Sequence, residues 1–421
     1  MTDERRIFPI ANAVFLINPF SGHVNPCLPV AKALSSSGDQ VLFYSTPNFK
    51  NAVIQHGAQF RPYTNYRQMF NWKPKESAGF TEDLTFIYKK YAAVFSPLHV
   101  QIARQLADEM KETKPDYIIY DYFDGIWGKM ASEMLNVPAI SSVPTFAVCK
   151  KIYQLAPEEI LRYVMLIDPE ALKSSMNIPV QRLITIINVK ISQDFNLKNF
   201  VLFEYGNSNI LNIVYTSELF QPYSHLFDDR FVFIGNTSHQ RQYSEYPQPP
   251  LRSTNTPRLF ISLGTTQANQ NIPFYRACIE AFSDTDYQII MAIGSTSLRA
   301  LGDIPANFYV GTHVDQLSVL QDTDVFITHG GMNSASEALI FGVPMLVCPQ
   351  QGDQFAVAHR ISELGAGCIL QKEDITSINI RKAVQMLLSK PIYKKNSLKI
   401  GKTLRKKNDL AHLVQKIHAV I

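Results

Sequence analysis

Two stretches of this chain carry side chains whose types and spacing suit chemistry on a phosphorylated ligand. The longer runs from Thr328 to Gln354, THGGMNSASEALIFGVPMLVCPQQGDQ; the shorter, near the start, is Asn18-Pro19-Phe20-Ser21-Gly22-His23-Val24. In the longer one, residues 324–328 read as an apolar strand that empties through Gly330 and Gly331 into a helix with Ala335, Ala338, Leu339 and Gly342 on one face. Glycines let backbone N–H groups approach an anion without a Cβ in the way, and the positive end of the helix dipole favours a phosphate there. Gly342 and Pro344 stop the helix, residues 345–348 read as a second strand, and Asp353-Gln354 opens another helix. A nucleotide-sized ligand fits across two such strand ends.

His23 is the candidate base, because an imidazole titrates near neutrality and can take a proton from an attacking hydroxyl. It is expected in a loop just before a helix whose N-cap and first position are Asn25 and Pro26, where the helix dipole opposes its protonation. Asp121, ending the apolar run 115–121, is placed to bond the other ring nitrogen, fix the tautomer and stabilise the imidazolium; Asp124 is its rival.

The elements that must position these groups follow a strand–helix–strand plan. Residues 14–17 read as a strand, the helix runs to about Ser37, and 40–44 is the next strand, so His23 lies where parallel sheets bind ligands. Aromatics crowd residues 61–100, and Phe70, Trp72 and Phe86 there, with Phe146, are candidate lining for a flat apolar molecule. Residues 146–205 read as mainly helical, and 213–216 and 231–234 as strands. Pro247, Pro249 and Pro250 mark a linker. Then the plan repeats: strand 259–262, loop Leu263-Gly264-Thr265-Thr266, helix 273–282, strand 288–292.

A length of 421 residues predicts about two domains, and 46% hydrophobic with 18% charged residues describes an ordinary globular core. A net charge of +4 is too small to argue for nucleic acid, and the basic run 390–407 reads as a solvated helix face. The five cysteines, Cys27, Cys149, Cys278, Cys348 and Cys368, are scattered and odd in number, which predicts reduced thiols in a cytoplasmic protein. The start MTDERR is no signal peptide, and no apolar stretch reaches the ~18 residues that span a bilayer. Nothing in the sequence bears on oligomeric state.

The spacing His329-x-Gly331-x-Asn333-Ser334-x-x-Glu337, with the later Asp353-Gln354, resembles the donor-binding signature of the UDP-dependent glycosyltransferases, specifically their bacterial macrolide-glycosyltransferase branch. A thinner likeness covers nearly the whole chain. The resemblance implies an α/β GT-B fold of two Rossmann-like domains facing a cleft. Residues 1–235 would bind acceptor, 236–256 link, 257–392 bind the nucleotide sugar, and the last helix, 393–421, pack back on the first domain. It also implies His23 and Asp121 as catalytic residues, and His329, Gly331, Asn333, Ser334 and Thr265 as diphosphate contacts. Glu337 would bind the ribose, and Asp353 with Gln354 the hexose hydroxyls. Where the family has W-x-P-Q against the base, this chain has His313-Val314-Asp315-Gln316, so a smaller imidazole face replaces the usual aromatic ring.

The expected reaction is inverting, metal-independent transfer of a hexose, chiefly glucose, from UDP to a hydroxyl of a small apolar acceptor such as a macrolide or polyphenol. The UDP-sugar is substrate, and no cofactor is required. Other readings stay open. Ser334 and Glu337 also fit a capping box, and Asp353 an N-cap. A sugar-nucleotide 2-epimerase and a non-catalytic partner protein could share the fold. Asp284-Thr285-Asp286 and Asp322-Thr323-Asp324 match the D-x-D metal motif, but turn-forming Asp before a strand explains both.

Overall fold

The computed structural model describes residues 10–64, 97–122, 126–160, 180–195, 201, 204–237, 249–250, 256–264, 271–405 and 410–421. The short, nearly all-apolar runs of the sequence become strands buried on both faces, which is how parallel sheets are recognised. In the front half, β1 (Asn12–Leu16), β2 (Gln40–Ser45), β3 (Gln59–Pro62), β4 (Tyr117–Asp121), β5 (Ala139–Val143), β6 (Leu211–Val214) and β7 (Phe231–Phe233) form a parallel sheet ordered 3-2-1-4-5-6-7. In the back half, β8 (Arg258–Ser262), β9 (Gln288–Ala292), β10 (Phe308–Gly311), β11 (Val325–Thr328), β12 (Met345–Val347) and β13 (Gly367–Ile369) form a second, ordered 10-9-8-11-12-13. Both orders reverse direction once, between β1 and β4 and between β8 and β11. Those reversals open crevices at the strand C-termini, where α/β sheets bind ligands.

Four strands escape the sequence pattern: β3, β5, β10 and β13. β5 is the instructive one, because Ser141 and Ser142 interrupt its apolar run. Both are buried, and each hydroxyl has a partner: Ser141 Oγ donates to the Gly206 carbonyl at 3.1 Å and Ser142 Oγ to Tyr215 Oη at 3.3 Å. Partners from distant chain satisfy the polarity that local reading takes as a break.

Helix α1 (Ser21–Ser36) starts four residues before the expected Asn25 cap, so His23 lies in its first turn and not in a loop. Phe20, extended, is the actual N-cap; its carbonyl accepts the N–H groups of His23 and Val24, both at 2.9 Å. Pro26 and Pro29 therefore sit inside the helix. In the back half, α2 (Gln316–Gln321), α3 (Met332–Ile340) and α4 (Gln354–Glu363) follow β10, β11 and β12.

The single terminal helix expected over 393–421 is two, α5 (Pro391–Arg405) and α6 (Leu410–Val420). The first packs on α3, so closely that a Cβ on Gly401 would clash with the Leu339 carbonyl oxygen. The second lies on α1, adding Leu413, Val414 and Ile417 to the front core. Its His418 Nε2 meets Asp39 Oδ2 at 2.9 Å, where Tyr117 Oη also donates at 2.7 Å. The first helix thus belongs to the back half and the second to the front. Ser217 Oγ meets Thr403 Oγ1 at 2.8 Å, and the Asn236 N–H donates to the Leu404 carbonyl at 3.2 Å. Arg360 of α4 adds two bonds to the carbonyls of Phe220 and Leu219, at 3.0 and 2.8 Å. Among the described residues no helix is long and apolar enough to cross a membrane.

Candidate active site

On the front side of the cleft, β1 and β4 bring their C-terminal ends together at the sheet's reversal. His23 comes from the helix after β1, and Asp121 is the last residue of β4. His23 Nδ1 lies 2.7 Å from Asp121 Oδ2, with the imidazole 21% exposed and the carboxylate 1%. A buried carboxylate on Nδ1 favours the tautomer with its proton there, which leaves Nε2 as the ring's acceptor nitrogen. The Phe20 ring, nearly half exposed, stands 6.1 Å from the imidazole. Sequence reading missed Phe20, although an apolar side chain in an N-P-F-S-G-H turn is the available signal.

On the back side, β11 ends at Thr328, and the chain turns through His329, Gly330 and Gly331 into α3. Gly330 adopts φ +83°, and a Cβ there would come within 2.6 Å of Val347 Cγ1. At Gly331 a Cβ would meet His329 Nε2 at 2.6 Å, so the imidazole lies where only glycine leaves room. His329 is buried, which drives its pKa down to about 4 against a smaller upward pull from a hydrogen bond with the Ser262 backbone. Its Nδ1 is buried with no hydrogen-bond partner among the described residues, and Nε2 is the ring nitrogen nearest the helix start at Gly331.

Because the unfolded side chain has its ordinary pKa of 6.5, the unfolded chain binds a proton between pH 6.5 and about 4 that the folded chain refuses. Stability from this residue is present above pH 6.5 and lost as pH falls through that window, by at most ~1.4 kcal/mol per pH unit. Urea denaturation at stepped pH is expected to show this slope in the native protein and a shallower one in His329→Asn.

Ser334 and Glu337 do not form a capping box. Gly331 is the N-cap of α3, without a side-chain bond, which puts Ser334 in the helix's first turn. Instead, Gln316 Nε2, from the first residue of α2, reaches Glu337 Oε2 at 2.6 Å and Ser334 Oγ at 3.2 Å. The Glu337 carboxylate is 1% exposed and held in place by a neutral amide. Val314 is buried, and His313, just before it, is exposed at the end of the loop from β10.

Asp353 is the N-cap residue of α4, with helical φ and ψ and no side-chain capping bond. Its pKa is raised by burial and drawn back by the nearby His23 and Thr145 side chains. Asp353 thus lies near the front half, and Thr145, two residues beyond the end of β5, is a second residue that sequence reading missed. Gln354 Oε1 accepts the N–H groups of Gln350 and Gln351 at 2.8 and 3.2 Å, so that oxygen braces its own loop. Asn333 Nδ2 donates to the Gly22 carbonyl at 3.1 Å, joining the two crevices directly.

Phe146 is no pocket wall: it is buried in the core, edge-on to Phe220 with ring centroids 5.3 Å apart. Phe70, Trp72, Phe86, Thr265 and Asp124 lie outside the described residues. Three of the four D-x-D aspartates have structural partners, Asp284 with Arg381, and Asp322 and Asp324 with Arg258.

Comparison with known proteins agrees with this fold. Residues 276–420 match the family model of the erythromycin biosynthesis protein CIII-like C-terminal domain. An NDP-glycosyltransferase of Bacillus subtilis, YjiC, is 35% identical over 383 residues, 89% of each chain. From the same organism, the uncharacterized UDP-glucosyltransferase YojK is 32% identical over 403 residues, 94% of each. The crystal structure of CalG4, the calicheamicin glycosyltransferase, superposes with a TM-score of 0.75 over 98% of both chains at 24% identity, and shares the GT-B fold. With two parallel-sheet domains meeting at their crevices and whole-length identity of this order, the chain belongs to the bacterial UDP-glycosyltransferases of the macrolide-glycosyltransferase type and is a glycosyltransferase.

Proposed function

We propose that the protein transfers a hexose, with glucose the leading candidate, from a UDP-sugar to a hydroxyl of a small apolar acceptor, inverting the anomeric centre. The observation that carries this reading is the His23–Asp121 pair at 2.7 Å, set across the cleft from the His329–Gly331 turn. In the proposed step, His23 Nε2 takes the acceptor hydroxyl's proton as that oxygen attacks the anomeric carbon. The bond to the UDP oxygen breaks on the opposite face, so one displacement inverts the centre. Asp121 stabilises the imidazolium that results.

The departing UDP gains negative charge, and the N–H groups at the start of α3 are oriented to receive it. A diphosphate at this turn would meet the Nε2 side of the His329 imidazole and favour a proton there. Glu337, held by Gln316, is the ribose ligand in this reading, since a carboxylate accepts two charge-assisted bonds from a diol. Asp353 and the amide of Gln354 face the hexose, which favours a fully hydroxylated sugar. The exposed ring of Phe20 beside His23 supports an apolar acceptor. The five free cysteines suit a reducing cytoplasm.

Mass spectrometry after incubation with UDP-glucose and a mixed panel of phenols and macrolides tests this. A hexosylated acceptor is expected. UDP-glucose left intact across the panel, while another nucleotide sugar is consumed without acceptor, would refute it.

A further inference from the structure

The bond between Asn333 and Gly22 depends on a proline. In an α-helix the carbonyl of residue i accepts the N–H of residue i+4. For Gly22 that residue is Pro26, which has no N–H. The first turn of α1 therefore presents a carbonyl whose intrahelical donor is missing, one residue before the base. Into that position comes the side-chain amide of Asn333, the second residue of α3, from 311 positions along the chain. The approach is close enough that a Cβ on Gly22 would lie 3.9 Å from Asn333 Nδ2.

We propose that Asn333 is a positioning residue, whose side-chain amide uses the acceptor exposed by Pro26 to set the His23 turn against the donor helix. The backbone N–H of Asn333 stays in the anion-binding turn, so one residue couples the diphosphate site to the base. An error of about 1 Å in such placement can cost ~10²-fold in rate. The inference rests on the reading of His23 as general base.

The test compares kcat, donor KM and UDP affinity by calorimetry in the native protein, Asn333→Ala, Pro26→Ala, His23→Ala and the doubles of His23→Ala with each. Pro26→Ala restores the N–H that competes for Gly22, touches no part of the donor site, and suits helix propensity. Asn333→Ala is expected to lower kcat about 10-fold or more and Pro26→Ala about 3-fold, with UDP affinity within about 3-fold of native in both. In the His23→Ala background neither change should cost more, the signature of residues acting through a third. If Asn333→Ala loses UDP affinity in step with kcat and Pro26→Ala is native, Asn333 is a donor ligand only and the proposal falls. Full multiplication of the effects in the His23→Ala background would also overturn it. A His23→Ala single variant with native kcat would instead remove the base reading, a separate and distinguishable failure.

Discussion

Replacing His23 by alanine is expected to lower kcat by about 10²-fold or more while UDP affinity stays near native, the usual size of a general-base contribution. Asp121→Asn is expected to match or exceed that loss. An asparagine can present its amide N–H₂ to Nδ1 and turn the imidazole into the wrong tautomer, with the proton on the nitrogen that should accept. The burial of Asp121 makes this costly, because at 1% exposure no water is at hand to take over the role. Steady-state rates with UDP-glucose, paired with UDP calorimetry, separate chemistry from binding. Near-native turnover in His23→Ala would remove the imidazole from the mechanism.

The second large effect concerns the donor. Glu337→Gln keeps the volume and a bond to Gln316 but loses the charge, and is expected to raise donor KM by roughly 10- to 100-fold, the worth of one or two charge-assisted bonds. The sharper readout compares UDP with its 2′-deoxy analogue. Native protein should prefer UDP, and Glu337→Gln should narrow the gap between the two. If the variant binds UDP as tightly as the native protein, the carboxylate serves only to tie α2 to α3.

The geometry around these residues was unevenly legible in the sequence. The turn at Gly330 and Gly331 could be read because strand, turn and helix lie in one contiguous run, whose apolar periodicity and glycines speak for themselves. Topology brings His23 near the end of β4, because the ends of neighbouring parallel strands converge at the sheet reversal, but strand order alone does not choose between Asp121 and Asp124. The start of α1 was misread because Asn25-Pro26 imitates a cap, whereas the true start at Ser21 uses the backbone of Phe20 and no side-chain signal. Ser334 and Glu337 imitate a capping box for a similar reason, and the amide that claims both comes from a separate helix, α2. Phe146 looked like a pocket residue because its partner, Phe220, is 74 positions away. The contact from Asn333 to Gly22 joins segments with no local pattern in common. It exists only once two separately folded sheets are docked.

The claim on which the others depend is that the front imidazole and the back glycine turn serve one bound sugar nucleotide. A crystal structure with UDP-glucose, or with UDP and an acceptor, measures this directly. The account predicts the diphosphate at the start of α3 beside His329, the ribose on Glu337, and His23 Nε2 within roughly 3 Å, or one water, of the acceptor oxygen. A diphosphate bound away from α3, or a donor whose anomeric carbon is walled off from His23, would contradict it.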